Sequence, residues 1–212
     1  MEFIGGLGLL LKPFTRLTAV AAPLDMANID TDKIIPARFL RKPRLPGYDP
    51  YLFHDMRFNA DGSERPEFIL NQPAYRGAGI LVAGANFGCG SSREGAAYAM
   101  LDYGICCVIA PSFGDIHYAN ELQNGMLPVI LPEEVCRRLR EQLHDQPGAQ
   151  LTVDLEPQTV IGPDGATYRF EIDPPYRERL LKGFDDVDLV LQYQPEIEAF
   201  EKHHYGEMPW LA

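Results

Sequence analysis

The strongest constraint on the fold is a regular alternation of short apolar runs and helix-length segments between residues 79 and 144. The runs 79–83, 105–110 and 127–131 have the length and composition of buried strands. Each is followed by a segment with a helical pattern, and these segments are 91–103, 113–124 and 133–144. Strands that alternate with helices favour an α/β fold, with a small, mostly parallel sheet and helices packed on it.

Further strands are predicted on both sides of this segment. Residues 15–24 are rich in small and β-branched residues, and 151–155 and 159–161 alternate as strands do. The triplet Pro163-Asp164-Gly165 is a strong turn signal, so 168–172 is expected to pair back on 159–161 as a hairpin. The α/β sheet is therefore expected to carry a C-terminal hairpin.

The end of the chain is predicted to be helical. Helices are expected over 174–182 and 186–193, before a polar and peripheral tail at 195–212. Composition marks no domain boundary, so we expect residues 1–212 to form one domain with a peripheral N-terminal segment and a C-terminal helical tail.

The charge of the chain limits its partners. The 212 residues include 19 basic and 30 acidic ones, which gives a formal net charge of -11. General nucleic-acid binding needs a basic face for phosphate contacts, so no nucleic-acid partner is expected. An anionic small molecule remains possible because a few arginines can make a local positive pocket.

The cysteines and the N-terminus bear on the compartment. The four cysteines, at positions 89, 106, 107 and 136, form no C-x-x-C pair, so no metal site built from this chain alone is expected. They do not form a secreted disulfide pattern either, and we expect a reduced, cytoplasmic protein. Residues 1–11 lack the features of a signal peptide, and no apolar run is long enough to span a membrane.

A glycine-rich turn with two serines and an arginine, Gly88-Cys89-Gly90-Ser91-Ser92-Arg93-Glu94, carries the main functional signal. It fails the dinucleotide, Walker and nucleophile-elbow patterns. Ser91 or Ser92 is expected to cap the following helix, where N–H groups favour negative charge, and Arg93 can grip a carboxylate with two hydrogen bonds. The alternative is a plain helix cap with Arg93 paired to a surface acid.

Three segments together carry a family resemblance: Asn28–Leu40 (NIDTDKIIPARFL), Asn86–Glu94 (NFGCGSSRE) and Val108–His117 (VIAPSFGDIH). In order and spacing the chain resembles the small subunit of isopropylmalate isomerase, from about Phe14 to about Tyr205. More broadly, it resembles the swivelling domain of the aconitase superfamily. The fold that this implies is an aconitase-type swivelling domain of β/β/α architecture.

The resemblance implies a chemistry and a division of labour. Members of the family move a hydroxyl group between adjacent carbons of a small dicarboxylate hydroxy acid by dehydration and rehydration. By position, Ser91 corresponds to the base that acts as an alkoxide, Arg93 binds a substrate carboxylate, and Ser92 supports the site. A [4Fe–4S] cluster with an open iron is expected on a separate large subunit, so this chain binds no metal and is active only in the heteromer.

Several flanking residues are further candidates. Asp30, Thr31 and Asp32 either shape the wall of the cleft or form a turn in which the aspartates bond backbone N–H groups. Arg38 and Arg41 either meet a second carboxylate or are solvated charges on an exposed loop, 41–50. Two further assignments complete the set: Gly88 and Gly90 shape the turn, and His117 is interpreted as a structural histidine.

Two positions depart from the family pattern and leave the substrate open. Ala85 stands where the small subunit usually has an acid, and Gly95 stands where it usually has histidine. The alternatives are a small subunit that acts on another branched malate, of citramalate or dimethylmalate type, and a non-catalytic partner of a large subunit. The long loop after Leu40 favours isopropylmalate and leucine biosynthesis.

Overall fold

The computed structural model describes residues 11–44, 47–208 and 210. The predicted peripheral N-terminal segment, 1–10, lies outside the described residues, as do two residues of the 41–50 loop and three at the C-terminus.

In the described part of the chain, seven strands form one sheet in the order β4-β3-β2-β1-β5-β6-β7. They are β1 (Arg16–Leu24), β2 (Ile80–Ala83), β3 (Cys107–Ala110), β4 (Leu127–Ile130), β5 (Gln150–Asp154), β6 (Thr159–Ile161) and β7 (Thr167–Arg169). The first four strands are mutually parallel, and β5, β6 and β7 each pair antiparallel with their neighbours. The predicted α/β class is confirmed.

The strand β1 joins the parallel and antiparallel halves of the sheet. Its end pairs with β2, with Ala21 opposite Ile80, and its beginning pairs with β5, with Val20 opposite Gln150. The predicted hairpin is confirmed by β6 and β7 and belongs to the same sheet, in which Val160 faces Tyr168.

Helices follow the strands as the alternation predicts. Two short ones are α1 (Thr31–Ile34) and α2 (His54–Arg57), and the longer ones are α3 (Glu94–Tyr103), α4 (Asp115–Gln123), α5 (Glu133–Asp145), α6 (Pro174–Lys182), α7 (Asp186–Leu191) and α8 (Gln194–Glu207). Short 3-10 turns occur at Ala37–Phe39, Asp49–Tyr51 and Ile69–Asn71. None of the helices in the described residues is long and apolar enough to span a membrane.

Two apolar cores cover the two faces of the sheet. Successive side chains of a strand point to opposite faces, so Leu81 and Ala83 of β2 enter one core and Ile80 and Val82 enter the other. Helix α3 contributes its buried alanines and Met100 to the first core. Helix α5 contributes its buried leucines to the second core. The parallel strands are therefore covered on both faces, as buried parallel sheets require.

The C-terminal tail contains helix α8, whose bounds the polar composition of residues 195–212 did not predict. Helix α8 is almost entirely exposed and begins after Tyr193. Its exposed apolar side chains include Ile197 and Phe200. Proline at the start of α8 is compatible with helix because the first N–H groups of a helix have no partner within it.

Candidate active site

The three segments that carry the resemblance meet where three parallel strands end. The first two segments follow β1 and β2, and the third begins within β3 and continues past its end. They lie side by side, with parallel bridges between Asp30 and Cys89 and between Phe87 and Phe113. Gly88 donates its backbone N–H to the carbonyl oxygen of Ile29 at 2.7 Å. Ligands of open α/β sheets characteristically bind outside the carboxyl ends of the strands.

A cleft of about 170 Å³ lies at this junction. Its lining combines residues of the three segments: Thr31, Gly88, Gly90, Ser91, Ser92, Arg93, Gly114, Asp115, Ile116 and His117. The structure thus brings together six of the residues that the sequence predicted for the site, together with His117, which the sequence analysis interpreted as structural. It also adds a wall at the start of α4 that sequence reasoning did not assign to the site.

The serines lie before helix α3, and the prediction that one of them caps it is wrong. The cap position is occupied by Arg93, with φ -147° and ψ 96°, and no side chain bonds the first turn. The turn that precedes it uses positive φ at Gly88 (69°) and Gly90 (92°), so the chain enters the helix later than the pattern suggested. Both serines are consequently exposed at the amino end of a ten-residue helix.

Thr31 fixes the position of the serine turn. Its hydroxyl donates to the carbonyl oxygen of Ser91 at 2.7 Å, and its backbone N–H donates to the carbonyl oxygen of Cys89 at 3.0 Å. Thr31 is itself 2% exposed. The backbone of Ser91 is therefore tied to a buried residue of the first segment while its side chain faces solvent.

Arg93 is held by an acid of the first segment. Nη1 of Arg93 forms an ion pair with Oδ1 of Asp32, and the same oxygen accepts the backbone N–H of Ala37 at 3.1 Å. The Arg93 guanidinium lowers the pKa of the Asp32 carboxyl, so the pair is ionised near neutral pH. The Arg93 side chain is only 15% exposed, and this contact restricts its orientation beside the serines.

Three further candidates, Asp30, Arg38 and Arg41, lie outside the lining of the cleft. Asp30 is the N-cap of α1 and accepts the backbone N–H of Lys33 at 2.8 Å, which is the contact expected of a turn residue. Arg38 pairs with Asp55, and this guanidinium lowers the pKa of the Asp55 carboxyl to about 2. Arg41 is exposed. Contacts of Arg38 and Arg41 with a substrate stay a prediction.

The loop after Leu40 is anchored to α3 rather than fully exposed. Tyr48 is 6% exposed, and its backbone N–H donates to Oδ2 of Asp102 at 2.9 Å. The guanidinium of Arg44 lies 4.0 Å from the centre of the Tyr98 ring. The expectation of an exposed loop is therefore wrong at Tyr48, because an aromatic residue among the prolines finds a buried position.

This loop also explains why residue 95 is glycine. A Cβ at Gly95 would lie 2.8 Å from Cδ2 of Leu40 and 3.6 Å from Cε2 of Tyr48. The missing side chain makes room for the loop to pack on α3. Neither Gly95 nor Ala85 lines the cleft, so these two departures do not change its walls.

Gly88 is required by both backbone conformation and space. A Cβ there would lie 2.0 Å from Cδ2 of His117, and Gly165 offers a control with φ 79° and no heavy atom within 4 Å. We expect Gly165→Ala to lower the free energy of unfolding by about 1 kcal/mol through strain alone. Gly88→Ala should cost about 2 kcal/mol more because the ring must move. Denaturant titration measures both, and equal costs would contradict the close contact with His117.

The chain offers no metal centre in its described residues. No group of three or more His, Cys, Asp or Glu side chains converges there. Cys89 lies in the serine turn, Cys107 on β3 and Cys136 on α5. These cysteines do not fit an iron–sulfur cluster, which needs three or four convergent thiolates.

Comparison with known proteins agrees with this geometry. A protein of Gluconacetobacter diazotrophicus named 3-isopropylmalate dehydratase small subunit is 54% identical over 200 residues, which are 94% of this chain and 97% of that protein. The chain belongs to the 3-isopropylmalate dehydratase small-subunit family. A protein of the same name from Paramagnetospirillum magneticum is 51% identical and covers 95% of the chain and all of the relative.

Family models and a solved structure support the same membership. The model for the aconitase C-terminal domain matches residues 11–134, and the model described as LeuD_N matches residues 137–174. A crystal structure of 3-isopropylmalate dehydratase from Methanocaldococcus jannaschii superposes with a TM-score of 0.62 at 27% identity, covering 88% of this chain and 99% of that one. The family and the aconitase-type fold inferred from the three segments are confirmed.

Proposed function

We propose that this chain is the small subunit of a 3-isopropylmalate dehydratase, a hydro-lyase that interconverts 2-isopropylmalate and 3-isopropylmalate in leucine biosynthesis. The observation that carries the proposal is the cleft in which Ser91, Ser92 and Arg93 meet at the amino end of α3. Three relatives that align over nearly their full length, at 51–54% sequence identity, bear the name of the small subunit of this enzyme.

In this proposal Ser91 is the base of the dehydration step. Its oxygen takes the proton from the carbon next to a substrate carboxylate, and the C–O bond on the neighbouring carbon breaks. The departing hydroxyl group takes a second proton from a general acid, which we place on the partner subunit, and leaves as water. In rehydration Ser91 returns its proton to one carbon, while a water molecule gives its hydroxyl group to the other carbon and its remaining proton to the same acid. A serine alkoxide needs a positive environment, and the first-turn N–H groups of α3 together with Arg93 contribute to one.

Arg93 binds a carboxylate of the substrate. A guanidinium carries five N–H donors, and the contact with Asp32 involves one terminal nitrogen. Asp32 positions the Arg93 guanidinium, and the remaining N–H donors are available for a carboxylate of the substrate. Ser92 and Thr31 support the turn that holds Ser91 beside this fork.

A separate, larger subunit completes the site in this proposal. The relatives are named small subunits, which implies a partner chain, and the described residues of this chain do not fit a cluster. We place the [4Fe–4S] cluster on that partner, where it would act as a Lewis acid on the leaving hydroxyl. The chain is proposed to work in the cytoplasm. It is also proposed to form one domain, because β1 joins the parallel and antiparallel halves of one sheet.

The test is to reconstitute the chain with its large subunit under reducing conditions and to assay a panel of 2-hydroxy diacids. We expect turnover of isopropylmalate with kcat/KM at least about tenfold above that of citramalate and dimethylmalate, because one or more apolar groups distinguish them. The isolated small subunit, assayed as a control, should be inactive. A higher kcat/KM for a smaller malate would contradict the proposed substrate, and activity of the isolated chain would contradict the division between subunits.

A further inference from the structure

A buried acid–histidine pair lies directly beneath the serine turn. His117 and Glu121 are one helical turn apart on α4, and their side chains are 1% and 0% exposed. Nε2 of His117 lies 3.0 Å from Oε1 of Glu121. His117 lines the cleft, yet neither side chain has a place in the proton transfer proposed for Ser91.

The pair has few other polar partners. Among the described residues, both ring nitrogens of His117 and both carboxyl oxygens of Glu121 are buried without a hydrogen bond, because the 3.0 Å approach of Nε2 to Oε1 is an ion-pair contact that lacks hydrogen-bond alignment. Burial raises the pKa of the Glu121 carboxyl, and the neighbouring His117 opposes that shift. A buried carboxyl group is costly unless a cation or a donor lies beside it, so the 3.0 Å approach of Nε2 of His117 is the contact that stabilises Glu121 in the core.

The two members of the pair have different surroundings. His117 lines the cleft with Ser91 and Arg93, whereas Glu121 does not. Glu121 lies toward the sheet, where the burial of Cys107 and, to a smaller extent, the nearby Glu121 carboxyl raise the pKa of the Cys107 thiol well above its usual value. The imidazole ring therefore lies between the serine turn and Glu121, with Cδ2 and Cγ nearest to Gly88 and Nε2 toward Glu121.

The ring is also fitted closely to the turn. The centroids of the His117 and Phe87 rings are 5.5 Å apart, and the space above the ring is available only because residue 88 is glycine. A shift of His117 would consequently move the backbone that leads to Ser91. The pair can thus act on the serine both through its charge distribution and through the position of the turn.

We propose that the His117–Glu121 pair is a positioning unit that holds the imidazole ring beneath the Gly88–Ser92 turn, where the ring, polarised by Glu121, favours the ionised form of the serine. The inference rests on the proposed role of Ser91. His117 is a positioning residue in this proposal because it acts through the turn and the serine. The sequence signal for the pair is the spacing of four residues between a histidine and a glutamate, which places both side chains on one face of α4.

The decisive experiment replaces both members by apolar side chains in the assembled enzyme. An apolar pair avoids a buried unpaired charge, so His117→Leu/Glu121→Leu should unfold at nearly the temperature of the unmodified heteromer. If the pair positions and polarises the serine, kcat should nevertheless fall by about 10- to 100-fold while KM changes by less than about threefold. A stable double variant with unchanged kcat would overturn the proposal.

A second variant keeps the test valid if the double variant fails to fold. Glu121→Gln preserves the size of the side chain but removes the charge that orients the ring, and we expect kcat to fall by about tenfold with subunit association retained. Unchanged kcat in this variant would likewise overturn the role of the pair. Ser91→Ala, assayed in parallel, separates the two ideas: if Ser91→Ala is inactive while Glu121→Gln is fully active, the function stands and the pair is merely structural.

Discussion

Replacing Ser91 with alanine is expected to abolish turnover while the subunits still associate. In the proposed mechanism its oxygen is the atom that receives the substrate proton, and alanine offers no acceptor there. Loss of a positioned base lowers rates by about 100- to 10,000-fold. We therefore expect kcat to decrease by an amount near the larger of these two values, or to become undetectable. Single-turnover assays on the reconstituted heteromer with saturating 3-isopropylmalate measure the effect.

The fold should tolerate this change because the serine side chain is exposed and does not cap α3. The contact that fixes the turn uses the carbonyl oxygen of residue 91, which alanine retains. Ser63, an exposed serine in a surface turn, provides a matched control, and Ser63→Ala should keep full activity. Activity of Ser91→Ala within about tenfold of the unmodified enzyme would remove Ser91 from the role of base.

Replacing Arg93 with lysine should weaken the enzyme through substrate binding, although the positive charge is kept. Lysine cannot present two parallel N–H groups to one carboxylate. A hydrogen bond to a charged group contributes about 1.5–3 kcal/mol, so kcat/KM should fall by about 10- to 150-fold. Arg93→Ala, which also removes the charge beside the serine, should fall further, by about 1,000-fold. Initial-rate kinetics over a range of substrate concentrations give both values.

The partner of Arg93 allows this prediction to be separated from a loss of structure. Asp32 has a 58% exposed side chain, so it becomes solvated rather than buried and unpaired when the guanidinium is removed. Thermal unfolding of the variants should therefore change little. Arg137→Lys, in an exposed pair with Glu141 on α5, is the matched control and should leave kcat/KM unchanged. Equal kcat/KM values for Arg93→Lys and the control would rule out a bidentate contact between Arg93 and a substrate carboxylate.

The sequence predicted the parallel part of the fold well because its signals are local. Apolar runs such as Ile80–Ala83 and the glycines that follow strands or helices specify strand and helix within a few residues. The antiparallel pairing of β5 with β1 was not predicted, because it joins residues more than a hundred positions apart and depends on the whole sheet. The helix start at Glu94 was misplaced because two positive-φ glycines lengthen the turn.

The candidate site was predicted unevenly for the same physical reason. Ser91, Ser92 and Arg93 are adjacent in the chain, and the family resemblance assigned them together. The contacts that position them are tertiary: Asp32 with Arg93, and the close approach of His117 to Gly88. No periodicity in one sequence indicates which distant side chains will meet, so these contacts appear only when the three strand ends are brought together.

The central place of β1 governs the order in which the chain can fold as it is synthesised. Its pairing with β5 cannot be completed until Asp154, the partner of Arg16, has left the ribosome. Until then one edge of β1 has open backbone groups, the kind of edge that pairs with other chains. The boundary between the two matched family models falls within α5, but a nascent chain that stops there still lacks half the partners of its earliest strand. Aggregation during synthesis is therefore a hazard that the arrangement of this sheet imposes on the chain.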